Sequence, residues 1–321
     1  MSRNHGTKLA ALLAALAVVL TACGGDSGDA KDKTSTKSAS AGNAKDKKIV
    51  VGAANFAENQ ILAHMYAKVL TKAGFKTKVQ TGDLTRETLS TALQAGDIHL
   101  TPEYVGTDTE YWNKEINGAK AKALASSDVK KSAAALRKLL AAKGLVAYEP
   151  SPAADQNAFA VTKKTAAKHK LAKMSDLGKV ASQLTLGGPA ECPKRPFCQP
   201  GLQKTYGAKF KEFKALDAGG PLTINALTAG KIDVGLVFSS DGSVAAKGLV
   251  VLADDKKLQT ADNIIPVLRK DVDSAELKAA LNALSAKLTT KALQSLNKAV
   301  TVDKKDPDEV AEAWLKKNGL L

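Results

Sequence analysis

The chain has 321 residues, a length that accommodates about two domains of ordinary size. Its composition, 44% hydrophobic and 25% charged, is typical of a globular protein with a buried core, which excludes a wholly disordered chain, a collagen and a coiled-coil rod. The net charge of +15 comes mainly from lysines scattered along the chain, without a run of five basic residues. This distribution favours a solvated basic surface over a nucleic-acid-binding surface, and no nucleic-acid partner is expected.

The N-terminus has the parts of a secretory signal peptide. Arg3 and Lys8 supply positive charge, and an apolar run follows at residues 9–20. Its 12 residues are too few to span a bilayer, for which about 20 are needed. The tetrapeptide LTAC at residues 20–23 is similar to a bacterial lipobox, which implies cleavage before Cys23 and lipidation of that cysteine. An ordinary signal peptide followed by a chance cysteine is the alternative.

A flexible tether is expected after the signal peptide. Residues 24–47 are almost wholly Gly, Ser, Ala, Thr, Asn, Asp and Lys, and none of them is aromatic. Such a segment buries too little apolar surface to offset the entropy lost on ordering. We therefore expect a signal peptide at residues 1–22 and a lipidated cysteine with its tether at residues 23–47. The folded part is then extracytoplasmic and anchored to the cell membrane through Cys23.

Cys192 and Cys198 enclose a short loop that contains two prolines. In an exported, oxidising setting a disulfide between them is the favoured interpretation. A metal site is the alternative, but no histidine or further cysteine lies nearby in the sequence to complete one, so no metal is expected.

The folded part opens with an alternation of strands and helices. A short apolar segment at residues 48–52 predicts a strand, and Asn55 and Glu58 have the spacing of a helix capping box. Apolar residues at helical spacing over 61–70 then predict a helix, which Gly74 ends. A strand at 76–81, a helix at 84–95 and a strand at 97–101 complete the β-α-β-α-β order of a doubly wound parallel sheet.

The same order recurs later in the chain. The matching segments, at offsets of 133–135 residues, are 92–98 with 226–232, 49–52 with 184–187, and 72–74 with 205–207. Three matches in one order at nearly one offset predict two lobes built from the same unit. Chance similarity among common α/β signals is the alternative.

Two stretches mark crossings between the lobes: residues 148–152, with two prolines, and the polar residues 254–263. The chain then ends in a predicted strand at 264–268 and helices near 274–288, 291–300 and 307–318. If this C-terminal segment returns to cover the first lobe, lobe 1 comprises residues 48–150 plus 262–321, and lobe 2 comprises residues 151–261. The prediction is a hinge of two crossings with a ligand cleft between the lobes.

Ligands of open α/β sheets bind beyond the carboxyl ends of the strands. The candidate binding loops are 52–55, where a helix N-terminus offers N–H groups to an anion, 101–108, 187–198 and 238–242, together with residues 155–159. The sequence has no nucleophile elbow, phosphate loop or zinc-protease motif. His64, His99 and His169 fall within predicted helices or a strand, where a structural role is expected. Neither an enzyme nor a cofactor is therefore predicted.

These loops carry a resemblance to a known family. The element Pro-Glu-Tyr-Val-Gly-Thr at residues 102–107 is its most specific part, and further matches lie at 51–62, 93–98, 201–207 and 238–242. Over residues 48–320 the chain resembles the substrate-binding proteins of ABC importers for glycine betaine, choline and proline betaine. The resemblance implies an α/β, type II periplasmic-binding-protein fold, with two doubly wound lobes joined by a two-crossing hinge. It also implies capture of a quaternary-ammonium or related zwitterionic osmolyte between the lobes, and delivery to a membrane permease with its ATPase.

In that family a quaternary ammonium group lies in a cage of tyrosine rings, held by cation–π attraction. The residues that the resemblance assigns to binding are Tyr104 and Phe238 as cage rings, Asn157 in place of a third ring, Asp155 to offset ligand charge, Thr107 and Asp241 as polar cleft positions, and Arg195 for a ligand carboxylate.

Plainer alternatives stay open for these residues: core packing for Tyr104 and Phe238, a turn at Asp241 and an exposed charge at Arg195. The cage is also thin, since Asn157 has no ring. Another cationic or zwitterionic metabolite, such as ergothioneine, is therefore an alternative ligand. An extracellular enzyme or an adhesion lipoprotein on the same fold is the alternative from a different class.

Overall fold

The structure is a computed structural model that describes residues 48–217 and 219–321. The predicted signal peptide, Cys23 and the predicted tether lie outside these residues. Within them, no helix is both long and apolar enough to cross a membrane.

Ten strands and twelve α-helices make up the described part of the chain, with three short 3₁₀ turns. The strands are β1 (Lys48–Gly52), β2 (Lys76–Gln80), β3 (Leu100–Tyr104), β4 (Leu145–Ala147), β5 (Asn157–Thr162), β6 (Thr185–Pro189), β7 (Glu212–Leu216), β8 (Val234–Phe238), β9 (Leu249–Val251) and β10 (Ile264–Arg269). The helices are α1 (Ala57–Lys72), α2 (Arg86–Ala95), α3 (Val105–Asn117), α4 (Val129–Ala141), α5 (Lys163–His169), α6 (Met174–Leu177), α7 (Gln199–Tyr206), α8 (Pro221–Thr228), α9 (Gly242–Ala246), α10 (Ala275–Lys287), α11 (Thr290–Thr301) and α12 (Pro307–Lys317).

The strands form two five-stranded sheets with equivalent strand orders, β2-β1-β3-β10-β4 and β7-β6-β8-β5-β9. The first three strands of each sheet are parallel. The fourth strand, β10 or β5, is antiparallel to both of its neighbours. Each sheet is therefore mixed rather than wholly parallel as predicted, because a strand that has just crossed from the other lobe enters in the opposite direction.

The positions of the matched segments confirm the predicted repeat. Residues 92–98 and 226–232 each lead from the end of a helix, α2 or α8, to the strand that follows. The other matches likewise fall at equivalent places, in or next to β1 and β6 and at the ends of α1 and α7. The two lobes therefore share one unit. The first lobe also carries α10, α11 and α12, which pack on α1 through buried leucines such as Leu281 and Leu293.

Apolar side chains cover both faces of the sheets. In β1, Ile49 and Val51 are fully buried in the cluster that includes α1, whereas Val50 packs against a second cluster. The second sheet likewise separates two apolar clusters. A strand buried on both faces has a continuous apolar run, which explains why the segment KIVVG predicted a strand without an alternating pattern.

Residues predicted as a loop after the third strand are part of that strand. The prediction was a strand at 97–101, but β3 spans Leu100–Tyr104. The N–H groups of residues 97 and 98 bond back to the carbonyl oxygen of Ala92, at 3.0 and 3.4 Å, and so still close helix α2. Tyr104 consequently ends the strand, and α3 begins directly after it at Val105.

The capping box predicted at Asn55 and Glu58 is wrong. Helix α1 begins at Ala57 after Phe56, and no side chain caps its first turn. Glu58 is turned inward and is only 5% exposed. Its carboxylate accepts hydrogen bonds from Tyr104 and from the distant α11, so interior partners replace the local cap.

The two linkers between the lobes lie side by side. The Ser151 N–H donates to the carbonyl oxygen of Ile264 at 2.8 Å, and the Asp155 N–H donates to that of Asp262 at 3.0 Å. The Asn263 side-chain amide also donates to the Ser151 carbonyl at 2.9 Å. These bonds join the two crossings into one paired hinge. Lobe boundaries at 150/151 and 261/262 agree with this pairing and stay a prediction.

Candidate functional site

A cavity of about 680 Å³, called here the interlobe cavity, lies beside the hinge. The first lobe contributes the start of α1 and the end of α11 to its wall. The second lobe contributes the start of α8, the end of β8 and α9, and Asp155 of the first linker completes the wall. The cavity is therefore built from both lobes and from the segment that connects them.

Glu58 is the most deeply buried acid of this cavity. The Tyr104 hydroxyl donates to its Oε1 at 2.9 Å, and the Asn297 amide donates to its Oε2 at 2.6 Å. Burial raises the pKa of Glu58 above its ordinary value of 4.5, and hydrogen bonds from Ser240, Asn297 and Tyr104 oppose that rise. The Glu58 carboxyl group is thus positioned by hydrogen bonds from the end of β3, from α11 and from the loop before α9.

Asp155 is a second acid in the same wall, half-buried on the first linker. Its Oδ1 accepts a hydrogen bond of 2.7 Å from the Ser240 hydroxyl. Its pKa lies well above the ordinary 3.8, because of burial first and then of the nearby Glu58 charge. Among the described residues, neither Asp155 nor Glu58 forms an ion pair with a basic side chain. In the described part of the chain, the cavity thus holds two neighbouring acids, neither of which is paired with a basic side chain.

Two phenylalanines supply aromatic surface to the interlobe cavity. Phe238 ends β8, is half-buried and faces the cavity from the second lobe, while Phe56 precedes α1 and is 43% exposed. The chain passes close over the Phe238 ring at Gly219, whose φ of +75° suits glycine, and an added Cβ would lie 3.3 Å from the ring. A cation between such ring faces is attracted by their quadrupoles.

Tyr104 does not line the interlobe cavity. Its side chain is 6% exposed and belongs to the core of the first lobe, with its ring centroid 6.2 Å from that of Phe56. Burial and the charges of Glu58 and Asp155 raise its pKa, so the hydroxyl stays protonated and donates to Glu58. The packing alternative therefore describes the ring, while the hydroxyl positions an acid of the cavity.

A smaller cavity of about 410 Å³ lies on the other side of Phe56. Its lining includes an ion pair in which the Arg86 guanidinium donates to both carboxylate oxygens of Glu103, at 2.8–3.2 Å. The Ala54 N–H in the loop above donates to the Asn59 side chain at 2.7 Å. The next N–H, of Asn55, bonds the Leu84 carbonyl. These two groups of the predicted anion-binding loop are therefore already used.

Thr107 and Asn157 lie near the cavity without lining it. The N–H and the hydroxyl of Thr107 both donate to Asp262 Oδ1 at 2.7 Å, so this residue fastens α3 to the second linker. Asn157 starts β5 and lies directly opposite Phe238 in the sheet. The structure thus gives Thr107 a hinge contact and leaves Asn157 beside the cavity wall.

The other assigned residues divide between the cavity and the surface. Asp241 caps α9, accepting from the Ser243 N–H at 2.7 Å, and also lines the cavity. Arg195 lines neither cavity; its side chain is 65% exposed and pairs with Glu191 at 2.9 Å, as the surface alternative describes. The loop around it is closed by a disulfide between Cys192 and Cys198, whose Cα atoms are 5.2 Å apart.

Three residues of the site were not found from the sequence. The sequence pattern assigns Glu58 only to a helix cap, and Ser240 lies within a candidate loop without a role of its own. Asn297 comes from α11, far along the chain, and has no motif around it. Its amide donates to Glu58 and to the Ser240 carbonyl, the latter at 2.9 Å, while its buried Oδ1 has no partner within the described part of the chain. Among the described residues, no cluster of acids, histidines and cysteines is arranged to hold a metal.

Comparison with protein families gives a match over nearly all of the described chain. The sequence model described as the substrate binding domain of ABC-type glycine betaine transport system matches residues 47–317. Among curated proteins, the glycine betaine-binding protein YehZ of Escherichia coli (strain K12) is 28% identical over 284 residues, covering 84% of this chain and 90% of that protein. The carnitine transport binding protein OpuCC of Listeria monocytogenes is also 28% identical, over 86% of this chain and 88% of its own.

A solved structure agrees with these matches. A crystal structure titled as a glycine betaine/carnitine/choline ABC transporter is 30% identical, with a TM-score of 0.75. The alignment covers 85% of this chain and 99% of that one. The two-lobed α/β architecture of the described residues is therefore the architecture of that structure.

Proposed function

Because this chain belongs to the family of substrate-binding domains of ABC-type glycine betaine transport systems, we propose that it captures a quaternary-ammonium or related zwitterionic osmolyte in the interlobe cavity. The observation that carries this proposal is the pairing of two acids, Glu58 and Asp155, with the aromatic side chains of Phe56 and Phe238 around one cavity. Carboxylates and ring faces are the two kinds of group that attract a cation lacking N–H donors.

The mechanism follows from the distribution of these groups over both lobes. Glu58 and Phe56 move with the first lobe, Phe238 with the second, and Asp155 lies on the hinge between them. A cation that contacts both walls stabilises the closed arrangement over any arrangement in which the lobes are apart. The paired linkers confine that motion to a rotation, and the closed form is the one delivered to the transporter.

The proposed partners are an ABC permease and its ATPase on the cytoplasmic side. Substrate-binding proteins of such importers work outside the cytoplasm, so the protein would be held there by lipid on Cys23. Replacing Cys23 by Ser should release the protein from membranes without changing the unfolding transition of the folded part. Unchanged lipid labelling of the variant would contradict anchoring at this cysteine.

A screen of thermal stability tests the receptor function directly. Glycine betaine, choline, carnitine, proline betaine and ergothioneine would each be added to the full mature chain. A ligand at 100 times its Kd should stabilise the protein by about 2.7 kcal/mol. Recovery of the bound compound unchanged would exclude turnover and oppose the enzyme alternative. No stabilisation by any member of the panel would contradict the proposed function.

A further inference from the structure

The interlobe cavity has an unbalanced set of charges. Glu58, Asp155 and Asp241 line it as acids, and the exposed Lys247 is the basic side chain in its wall. The basic side chain of Arg86 lines the smaller cavity, where it forms an ion pair with Glu103. The described wall therefore carries more negative than positive groups, and the excess lies at its buried end.

Ser240 links the two inner acids through a single hydroxyl. That hydroxyl donates to Asp155 at 2.7 Å and also interacts with the Glu58 carboxyl. A serine hydroxyl has one hydrogen, which cannot serve both acids at once. Two ionised carboxylates around one shared donor repel each other in a site with little water, and such pairs hold a proton between them.

The groups around Glu58 and Asp155 do not neutralise the negative charge of these two acids. Tyr104 and Asn297 donate hydrogen bonds to Glu58 but are uncharged. Asp262, on the second linker, adds a further negative charge near Asp155 and accepts a hydrogen bond from Thr107. Across α1, α9, α11, β3 and both linkers, the groups facing the pair are therefore acids or neutral donors, with Lys247 at the exposed rim.

We propose that Glu58 and Asp155 make this receptor select solutes of net positive charge over zwitterions, and that the bound cation takes the place of a proton held by the pair. The inference rests on the proposed function and narrows its substrate class. The balance is simple: the protonated empty site and a monocation give the occupied site and one proton, which leaves to solvent. No covalent bond to the solute forms or breaks.

The unpartnered oxygen of Asn297 also supports a preference for positively charged solutes over zwitterions. This side chain is 7% exposed, both of its amide hydrogens are used, and its Oδ1 has no partner among the described residues. An acceptor beside two acids attracts a positive group and repels a carboxylate. A zwitterion such as a betaine carries its carboxylate close to its cation and so brings like charge to this wall.

Choline and glycine betaine are the matched probes, since both carry a trimethylammonium group and differ in net charge. Calorimetric titration of the mature protein at pH 7.5, in two buffers of different ionisation enthalpy, measures affinity and proton release together. Choline should bind at least about tenfold more tightly than glycine betaine. Its binding should release up to one proton and should weaken up to about tenfold for each pH unit of acidification below the pKa of the pair.

Substitution of either acid tests whether the selectivity and the proton release depend on Glu58 and Asp155. Asp155→Asn and Glu58→Gln should each abolish proton release and bring the two affinities within about threefold of each other. Glu115→Gln, at an exposed position of α3, is the matched control and should leave both affinities unchanged. Circular dichroism and unfolding of each variant would separate loss of selectivity from loss of folding.

The outcomes separate this inference from the proposed function. Glycine betaine binding as tightly as choline, or choline binding without proton release, overturns the inference and leaves the receptor function standing. Binding of neither probe, nor of any other compound in the panel, overturns both. Selectivity that survives in both pair variants would assign the preference to other residues and likewise overturn the inference.

Discussion

Tyr104 and Phe238 occupy equivalent places in the two lobes, but their side chains have different surroundings. Each is the last residue of the strand at the centre of its sheet, and they are 134 positions apart, the offset of the sequence repeat. Tyr104 is turned into the core and its hydroxyl holds Glu58, whereas Phe238 keeps part of its ring in the interlobe cavity. The comparison teaches that a repeated fold can place two rings at equivalent strand ends without turning both of them toward the same cavity.

The chain after each strand explains the difference. In the first lobe, α3 starts at the next residue, so the strand end is covered by helix. In the second lobe, three residues separate Phe238 from α9, and one of them, Ser240, reaches Asp155. We expect substitution of Tyr104 to act mainly on stability and substitution of Phe238 mainly on ligand affinity.

The largest effect should come from Gly242, where α9 crosses α11. A Cβ at this position would lie 2.3 Å from the Gln294 carbonyl oxygen and 2.4 Å from the Lys298 nitrogen, both of them backbone atoms. Gly242→Ala should therefore destabilise the protein by up to about 3 kcal/mol in urea unfolding. Gly106→Ala, at the corresponding place in the first lobe with its nearest contacts at 2.9 Å, should cost less. The reverse order would show that α9 is not fastened to α11.

The loops after β1 and β6 offer the next comparison. The first is held by the Asn59 side chain, which accepts from Ala54 and donates to the Pro102 carbonyl, and the second by the disulfide. Replacing both Cys192 and Cys198 by Ser should cost about 2 kcal/mol by the loop-entropy estimate. Asn59→Ala should cost about 1–2 kcal/mol. Mass spectrometry of the unreduced protein should show a linked species, and two freely alkylated thiols would refute the bond.

Substituting each of the two equivalent rings tests whether Tyr104 acts on stability and Phe238 on ligand affinity. Tyr104→Phe keeps the ring but removes the hydroxyl that donates to Glu58 Oε1, so the free energy of unfolding should fall by about 1–2 kcal/mol. Phe238→Leu keeps apolar bulk but removes the ring quadrupole, so ligand affinity should fall roughly two- to thirty-fold with little change in stability. Calorimetry and urea unfolding of both variants give the two readouts. Loss of affinity without loss of stability in Tyr104→Phe would restore that tyrosine to the ligand cage.

The smallest expected effect is a change of slope with pH. Burial raises the pKa of Glu58 in the folded state, so its protonated form is favoured there. The stability that it contributes is present below the ordinary value of 4.5 and is lost as pH rises through the raised pKa, at no more than about 1.4 kcal/mol per pH unit. Glu58→Gln should flatten this decline above the ordinary pKa of 4.5. An unchanged slope would place the titration elsewhere.

Much of the fold could be predicted because its signals are local. Segments such as KIVVG and the apolar residues at helical spacing over 61–70 indicate a strand or a helix within a few residues, and the repeat predicted the two lobes. The strand boundary near Tyr104 could not be predicted, since it depends on hydrogen bonds that close α2 first.

The site was less predictable, because its contacts join distant parts of the chain. Glu58 meets Asn297 across 239 positions, and no local pattern signals such a pair. The resemblance assigned Phe238, Asp155 and Asp241 to ligand binding; all three line the interlobe cavity, and their contact with a ligand stays a prediction. It could not show that Tyr104 faces inward or that Arg195 pairs with its neighbour Glu191, because side-chain orientation depends on packing.

The insertion of β10 between β3 and β4 has a consequence for the order of folding. All strands of the second sheet lie within residues 157–251, so that sheet can assemble as soon as this stretch has been synthesised and is free to fold. The first sheet has begun earlier but remains divided until residues 264–269 arrive, well over a hundred residues after β3. Closing so long a loop is slow. The first lobe is therefore expected to complete its fold last, with part of its core exposed until β10 is in place.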